Sequence, residues 1–156
     1  MRHIATLPVL ALFLFFGTTI AADPPDVQGE RVMYAHDGVE LSGYLAYAPS
    51  LEGPRPGVII VHEWWGHDEH VRRRADMLAE AGYIALAVDM YGGGQLAEHP
   101  SEAREFATLV RTNRDLMLGR FEAAETLLRD HELTAPLPTP NPPGISASQA
   151  GGLGKD

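Results

Sequence analysis

The 156-residue sequence contains no cysteine. That absence excludes a disulfide framework, Cys-ligated zinc, an iron–sulfur cluster and a cysteine nucleophile within this chain. Positive charge is scarce as well: 12 Lys and Arg stand against 21 Asp and Glu, a formal net charge of −9. Such a balance disfavours a nucleic-acid partner, whose affinity rests mainly on Lys and Arg against phosphates. There is no internal repeat. What is present is an ordinary globular share of hydrophobic residues, 45%, in a length that suits one domain.

The first residues read as a targeting segment rather than as part of the fold. Arg2 gives a positive start, Ile4 to Phe16 is almost wholly apolar, and Thr18-Thr19-Ile20-Ala21-Ala22 supplies small residues before Asp23-Pro24-Pro25. A charged n-region, an apolar h-region and a small-residue exit form a secretory signal over residues 1–22. The apolar stretch is barely long enough for an uncleaved anchor. The expectation is a periplasmic or secreted protein that meets a membrane only through this segment, during export.

The chain beyond it is punctuated for an α/β fold. Arg31–His36 and Glu40–Tyr47 flank Asp37-Gly38, a hairpin signal because a type I′ turn needs positive φ. Gly57-Val58-Ile59-Ile60-Val61-His62 is a continuous apolar run, the pattern of a buried parallel strand. A helix follows, capped by Asp68, with Val71, Ala75 and Leu78 on one face and Gly82 at its end. Tyr83–Asp89 is a second buried strand, completing a βαβ unit. Two more helices are predicted. One starts near Pro100 and buries Ala103, Phe106, Ala107 and Val110. The other is capped by Thr112 or Asn113 and buries Met117, Phe121, Ala124 and Leu128. From residue 134 the composition turns to Pro and Gly, with no aromatic residue. Residues 134–156 are expected to be disordered, since they cannot bury enough apolar surface to offset their ordering entropy.

The densest polar cluster is His62-Glu63-Trp64-Trp65-Gly66-His67-Asp68-Glu69-His70, between a buried strand and a helix. Ligands of open α/β sheets bind at that carboxyl edge. A glutamate walled by two tryptophans is costly to bury without a partner or a proton, which points to a site; a solvent-facing loop glutamate is the plainer alternative. Zinc fits poorly. The protease helix needs histidines at i and i+4, whereas His62 and His67 stand at i and i+5 and His62 ends a strand. Gly92-Gly93-Gly94-Gln95-Leu96-Ala97 formally matches a dinucleotide fingerprint, but His99-Pro100 separates it from the next helix, and no Gly-Lys-Ser/Thr follows. A flexible loop is the better reading. Arg72-Arg73-Arg74 reads as a solvated helix face. Gly144-Ile145-Ser146-Ala147-Ser148 fails the nucleophile-elbow pattern at its last position, and every histidine precedes Ser146, against the order of nucleophile, acid, histidine. No metal, cofactor or nucleophile is assigned.

Three stretches together resemble the dienelactone hydrolase family of α/β-hydrolases: Val58–Gly66, His70–Asp76, and Ala81–Gly92 with its Asp89-Met90-Tyr91-Gly92. The likeness extends over about residues 30–131. It implies hydrolysis of a small-molecule carboxylic ester or lactone without metal or cofactor. The family nucleophile is typically a cysteine in a Gly-x-Cys-x-Gly elbow, relayed by an aspartate and a histidine further on. The resemblance makes Glu63 the carboxylate that helps generate the thiolate and the Trp64 backbone N–H half of the oxyanion hole, where charge develops during attack. Trp65 and Tyr91 are the substrate-facing candidates, and Arg104 is the candidate for a substrate carboxylate.

The cysteine elbow, its relay partners and the second half of the sheet have no counterpart here. The expected fold is therefore a partial α/β-hydrolase sheet: an N-terminal hairpin plus a βαβ unit, then two helices, cut before the nucleophile strand. Residues 23–133 form that part of the domain, and the tail reads as out-of-frame translation or an artificial end. Such a chain is expected to be inactive alone. The alternatives are a non-catalytic small-molecule or protein binding module using the Trp64-Trp65 cleft, or a defunct fragment. In the fragment, the Val58–Val61 strand presents an unpaired, aggregation-prone edge.

Overall fold

A computed structural model describes residues 23–136. The elements run β1 (Gln28–His36), β2 (Val39–Tyr47), β3 (Gly57–Val61), α1 (Glu69–Glu80), β4 (Ile84–Val88), α2 (Pro100–Thr112) and α3 (Arg114–Arg129). Residues 1–22, where a signal segment is expected, and residues 137–156 lie outside the described residues.

The four strands form one sheet in the order β1-β2-β4-β3. The hairpin pairs antiparallel through its full length, from Gln28 opposite Tyr47 to His36 opposite Val39. Asp37 and Gly38 take φ of 49° and 74°, as a type I′ turn requires. β2 joins β4 antiparallel over only Tyr44–Ala46, while β3 and β4 pair parallel along five residues. Gly43 faces β4 so closely that a Cβ there would lie 3.1 Å from the Ala87 carbonyl oxygen.

Helices cover both faces, giving three layers. On one side α1 lays Val71, Ala75 and Ala79 on Ala46, Ala85 and Ala87. Small side chains on both partners let helix and sheet approach closely. The Asp68 carboxylate accepts the Val71 N–H at 3.1 Å and caps the helix start. At the other end Tyr83 N–H donates to the Leu78 carbonyl and Gly82 N–H to the Ala79 carbonyl, both at 3.0 Å, with Gly82 at φ 94°. That is a Schellman stop. On the opposite face α2 and α3 cover a larger-residue core of Leu45, Ile84, Leu86, Val88 and Met90. Asn113 breaks the two helices apart by accepting the Leu116 N–H at 3.1 Å.

Burial departs from the sequence expectation at one margin. β4 is fully buried, but β3, expected to be buried too, is half-exposed, and Val61 keeps 52% of its surface open. Among the described residues, β3 has a strand neighbour on one side only. Met117 and Phe121 are accordingly half-buried rather than core, as are Phe106 and Ala107, while the charged Arg120 is buried in the same α3 face. The disordered tail expected from residue 134 also begins too early. Arg55 N–H donates to the Leu133 carbonyl (2.8 Å), Ala135 N–H donates to the Arg55 carbonyl (2.6 Å), and Thr134 bridges Arg55 in parallel. Backbone pairing, which composition does not report, holds these residues.

The C-terminal end of β4 is fixed by one carboxylate. Asp89 is fully buried. Its Oδ1 accepts the N–H groups of Tyr91 (3.0 Å) and Gly92 (2.8 Å), and its Oδ2 those of Ser42 (3.1 Å) and Gly94 (2.7 Å). Gly92, Gly93 and Gly94 hold φ of 89°, 63° and 68°. Only glycine adopts three such residues in a row without strain. The triple glycine is thus a tied wrap around an anion, not the flexible loop its composition suggests. Asp89→Asn replaces one acceptor with an NH2 group facing amide donors. The expected loss is about 3 kcal/mol or more, measured as a lower urea midpoint. An unchanged midpoint would show that the four bonds do not hold this end of the sheet.

Candidate active site

The His62–His70 cluster lies at the carboxyl end of β3, where the chain turns toward α1. Gly66 N–H donates to the Glu63 carbonyl at 3.2 Å, closing a turn with Trp64 and Trp65 at its centre. Gly66 takes φ 97°, and a Cβ there would meet the Gln95 carbonyl oxygen at 2.5 Å. The turn is pressed against the loop after the glycine wrap. Ala97 N–H donates to the Trp65 carbonyl at 3.0 Å, and Gly66 bridges Leu96.

His62 fixes the entry to the turn. Its Nε2 accepts the Met90 N–H at 3.1 Å, so Nδ1 carries the proton and donates to the Glu63 carbonyl at 2.6 Å. The ring stands edge-on to Tyr91, with centroids 4.5 Å apart. The Tyr91 hydroxyl in turn donates to the Trp64 carbonyl at 2.9 Å. Three successive carbonyls, of residues 63, 64 and 65, are therefore held by protein donors. The Trp64 N–H has no acceptor among the described residues.

The carboxylate of Glu63 is exposed and makes no hydrogen bond or ion pair among the described residues. The buried, tryptophan-walled glutamate expected from sequence is not found, because the strand that carries it is half-exposed. Its position is still at a mouth, since it lines two cavities. One, of ≈ 560 Å³, lies toward α2 and α3 and is walled by Trp64, Met90, Tyr91, Val110 and Phe121. The other, of ≈ 670 Å³, lies toward α1 with Trp65, Asp68, His70 and Arg74. The rings of Trp64 and Trp65 pack 4.9 Å apart, centroid to centroid, with Trp64 lining the first cavity and Trp65 the second. Tyr91 is buried, its hydroxyl pushed upward in pKa by burial.

Of the sequence-derived site residues, Glu63, Trp64, Trp65 and Tyr91 are brought together. Arg104 is not: it is exposed on α2 and lines neither cavity, whereas Arg111, two turns further along the helix, lines the apolar one toward α2 and α3. Asp89 and Arg120 were not singled out by role. Arg120 is buried and donates through Nη1 to the Met90 carbonyl at 2.6 Å, beneath the same loop. Tyr34 completes the group, its hydroxyl accepting the Asp89 N–H at 3.0 Å. Burial pushes that phenol up to about 12. The only signal for Arg120 in the sequence was a charge inside an apolar helical stripe. The zinc alternative finds its histidines otherwise engaged: His62 as above, and buried His67 through Nε2 with the Ala87 carbonyl at 3.1 Å. His70 is exposed.

A mixed four-stranded sheet covered by helices on both faces has the architecture of part of an α/β-hydrolase fold. The sequence model of the dienelactone hydrolase family matches residues 41–135, and the chain belongs to that family. Protein usf of Aquifex pyrophilus is 34% identical over 112 residues, 69% of this chain and 47% of that one. A protein of Aquifex aeolicus (strain VF5) named "Putative carboxymethylenebutenolidase" is 32% identical over the same length and the same shares. Among solved structures, P91, a dienelactone hydrolase-like promiscuous phosphotriesterase from metagenomic libraries, superposes with a TM-score of 0.66 at 27% identity, over 70% of this chain and 45% of that one. The chain thus spans about half the length of the relatives it matches.

The buried histidines give the site a pH dependence. Burial lowers the pKa of both His62 and His67 below the ordinary 6.5. A histidine that is harder to protonate when folded stabilises the fold fully above about pH 6.5 and loses that contribution as pH falls through the lower, folded value. Protonated His62 would also set an N–H against the Met90 N–H. The urea midpoint should fall as the pH is lowered below about 6.5, and His62→Gln, which retains a donor and an acceptor, should flatten that fall. A parent profile that is level across this range would refute the assignment.

Proposed function

We propose that this chain is the N-terminal half of a hydrolase acting on carboxylic esters or lactones, carrying the oxyanion-side groups of the active site and no nucleophile. The observation that supports it best is the turn at residues 63–66. Its carbonyls are tied to protein donors while the Trp64 N–H is left without an acceptor, beside the Glu63 carboxylate and an apolar cavity. A carbonyl oxygen that gains negative charge during attack needs such a preorganised donor. In the complete hydrolase, a thiolate would add to the substrate carbonyl carbon, the alcohol or ring oxygen would leave, and water would release the acyl group. The role of Glu63 is to assist in generating the thiolate. Tyr91 walls that apolar cavity and holds the Trp64 carbonyl, while Trp65 walls the neighbouring cavity toward α1. Residues 1–22 serve export in this reading.

Without a cysteine anywhere in its sequence, the chain is expected to bind but not turn over. Its only two tryptophans are Trp64 and Trp65, so intrinsic fluorescence reports on the site alone. Titration with a small butenolide should produce a saturable fluorescence change. The same preparation should release p-nitrophenol from p-nitrophenyl acetate no faster than buffer. Saturable turnover would overturn the half-enzyme reading. An absence of any fluorescence change would remove the ligand site, and with it the binding-module alternative that uses the Trp64-Trp65 cleft.

A further inference from the structure

α3 buries a charge that the stability of the fold does not call for. Arg120 is buried, forms no ion pair among the described residues, and its Nε has no hydrogen-bond partner there. A buried cation without an anion in contact is expensive, and an apolar side chain of similar volume would fill the same place without that cost. What the guanidinium does hold is the carbonyl of Met90, through Nη1 at 2.6 Å. Gly92 keeps the room for it: a Cβ there would lie 3.2 Å from Arg120 Nη2 and 2.9 Å from Val39 Cγ1.

The Met90 carbonyl is one end of a short chain of bonds that finishes in the tryptophan turn. The other polar group of Met90, its N–H, donates to His62 Nε2 at 3.1 Å. The imidazole proton then sits on Nδ1 and is donated to the Glu63 carbonyl at 2.6 Å. The Gly66 N–H reaches the same oxygen at 3.2 Å, which the turn supplies by itself; the shorter bond comes from outside the turn. The Glu63 carbonyl and the Trp64 N–H belong to one planar trans peptide, so they point in opposite directions. Fixing the oxygen on the imidazole therefore fixes the direction of the amide hydrogen, which has no acceptor among the described residues. Met90, His62, Glu63 and Trp64 all line the ≈ 560 Å³ cavity. Met90 is thus clamped at both of its backbone polar groups, by α3 on one side and by the end of β3 on the other.

We propose that Arg120 is a positioning residue for the Trp64 amide. It anchors Met90, Met90 sets the place and tautomer of the His62 ring, and the ring turns the peptide between Glu63 and Trp64 so that its N–H meets the carbonyl oxygen of a bound ester or lactone. This rests on the reading of that N–H as the oxyanion donor.

Nuclear magnetic resonance on the whole, nitrogen-labelled chain tests it. In the unmodified protein the ring-nitrogen spectrum should show the His62 proton on Nδ1, and a small butenolide should shift the Trp64 backbone amide as the tryptophan fluorescence saturates. R120M removes the donor and keeps an unbranched apolar side chain. It should weaken butenolide binding about tenfold, near the contribution of one hydrogen bond, and shrink the Trp64 amide shift at saturation, while cooperative urea unfolding shows the fold intact. R120K, whose ammonium lacks the planar fork of donors, should fall between the parent and R120M. Either variant, folded, with the parent's affinity and the parent's Trp64 shift would overturn the proposal. A proton on His62 Nε2 in the unmodified chain would overturn it with no variant needed. Saturable fluorescence with an unshifted Trp64 amide would overturn it too and leave the ligand site standing, whereas no fluorescence change at all removes the site and the inference with it.

Discussion

A carboxylate stripped of water must recover its hydrogen bonds from the protein, and Asp89 recovers them from four backbone amides drawn from two segments. A buried ion without such partners costs several kcal/mol, so the backbone around it has little freedom. Ser42 is held from the hairpin, and Tyr91, Gly92 and Gly94 are held in sequence. The loop placed by those glycines then reaches the tryptophan turn through Ala97 and Leu96. The candidate site is thus positioned at second hand. Its own residues sit on a turn whose backing loop is anchored to an anion deep in the sheet.

Local signals in the sequence translated well into local structure. Asp37-Gly38, the Asp68 cap, Gly82 and Asn113 each act through neighbours a few residues away, and each does in the structure what its chemistry predicts. Errors arose where a residue's role depends on a distant partner. Three glycines look like slack until an aspartate upstream is known to lie inside their curve. Arg120 looks misplaced in an apolar stripe until the Met90 carbonyl arrives beneath it. β3 has the composition of a central strand, but composition records hydrophobicity and not neighbours, so its half-exposure and that of Phe121 were not legible. The same holds for Arg104: the resemblance made it the candidate, and only the packing of α2 shows that Arg111 meets the cavity instead.

Among the described residues, the turn after β3 presents an amide without an acceptor and a carboxylate without a partner side by side. Neither group makes a bond there, while their neighbours His62, Tyr91 and Gly66 all do. The division between groups that hold and groups left unengaged falls between adjacent atoms of one peptide, the Glu63 carbonyl and the Trp64 N–H.

The sheet is joined unevenly, and this shapes how it assembles. The hairpin is zipped over nine residue pairs, and its contacts are close in sequence, so it can form in about 1–10 μs. It is attached to the rest through just three pairs, Tyr44–Ala46 against Ala85–Ala87, separated by some forty residues of chain. Closing that span is the slow, entropically expensive event. The seam between β2 and β4 is therefore the last part of the sheet to knit and the first to part. The Asp89 bond to Ser42 acts as a rivet across it.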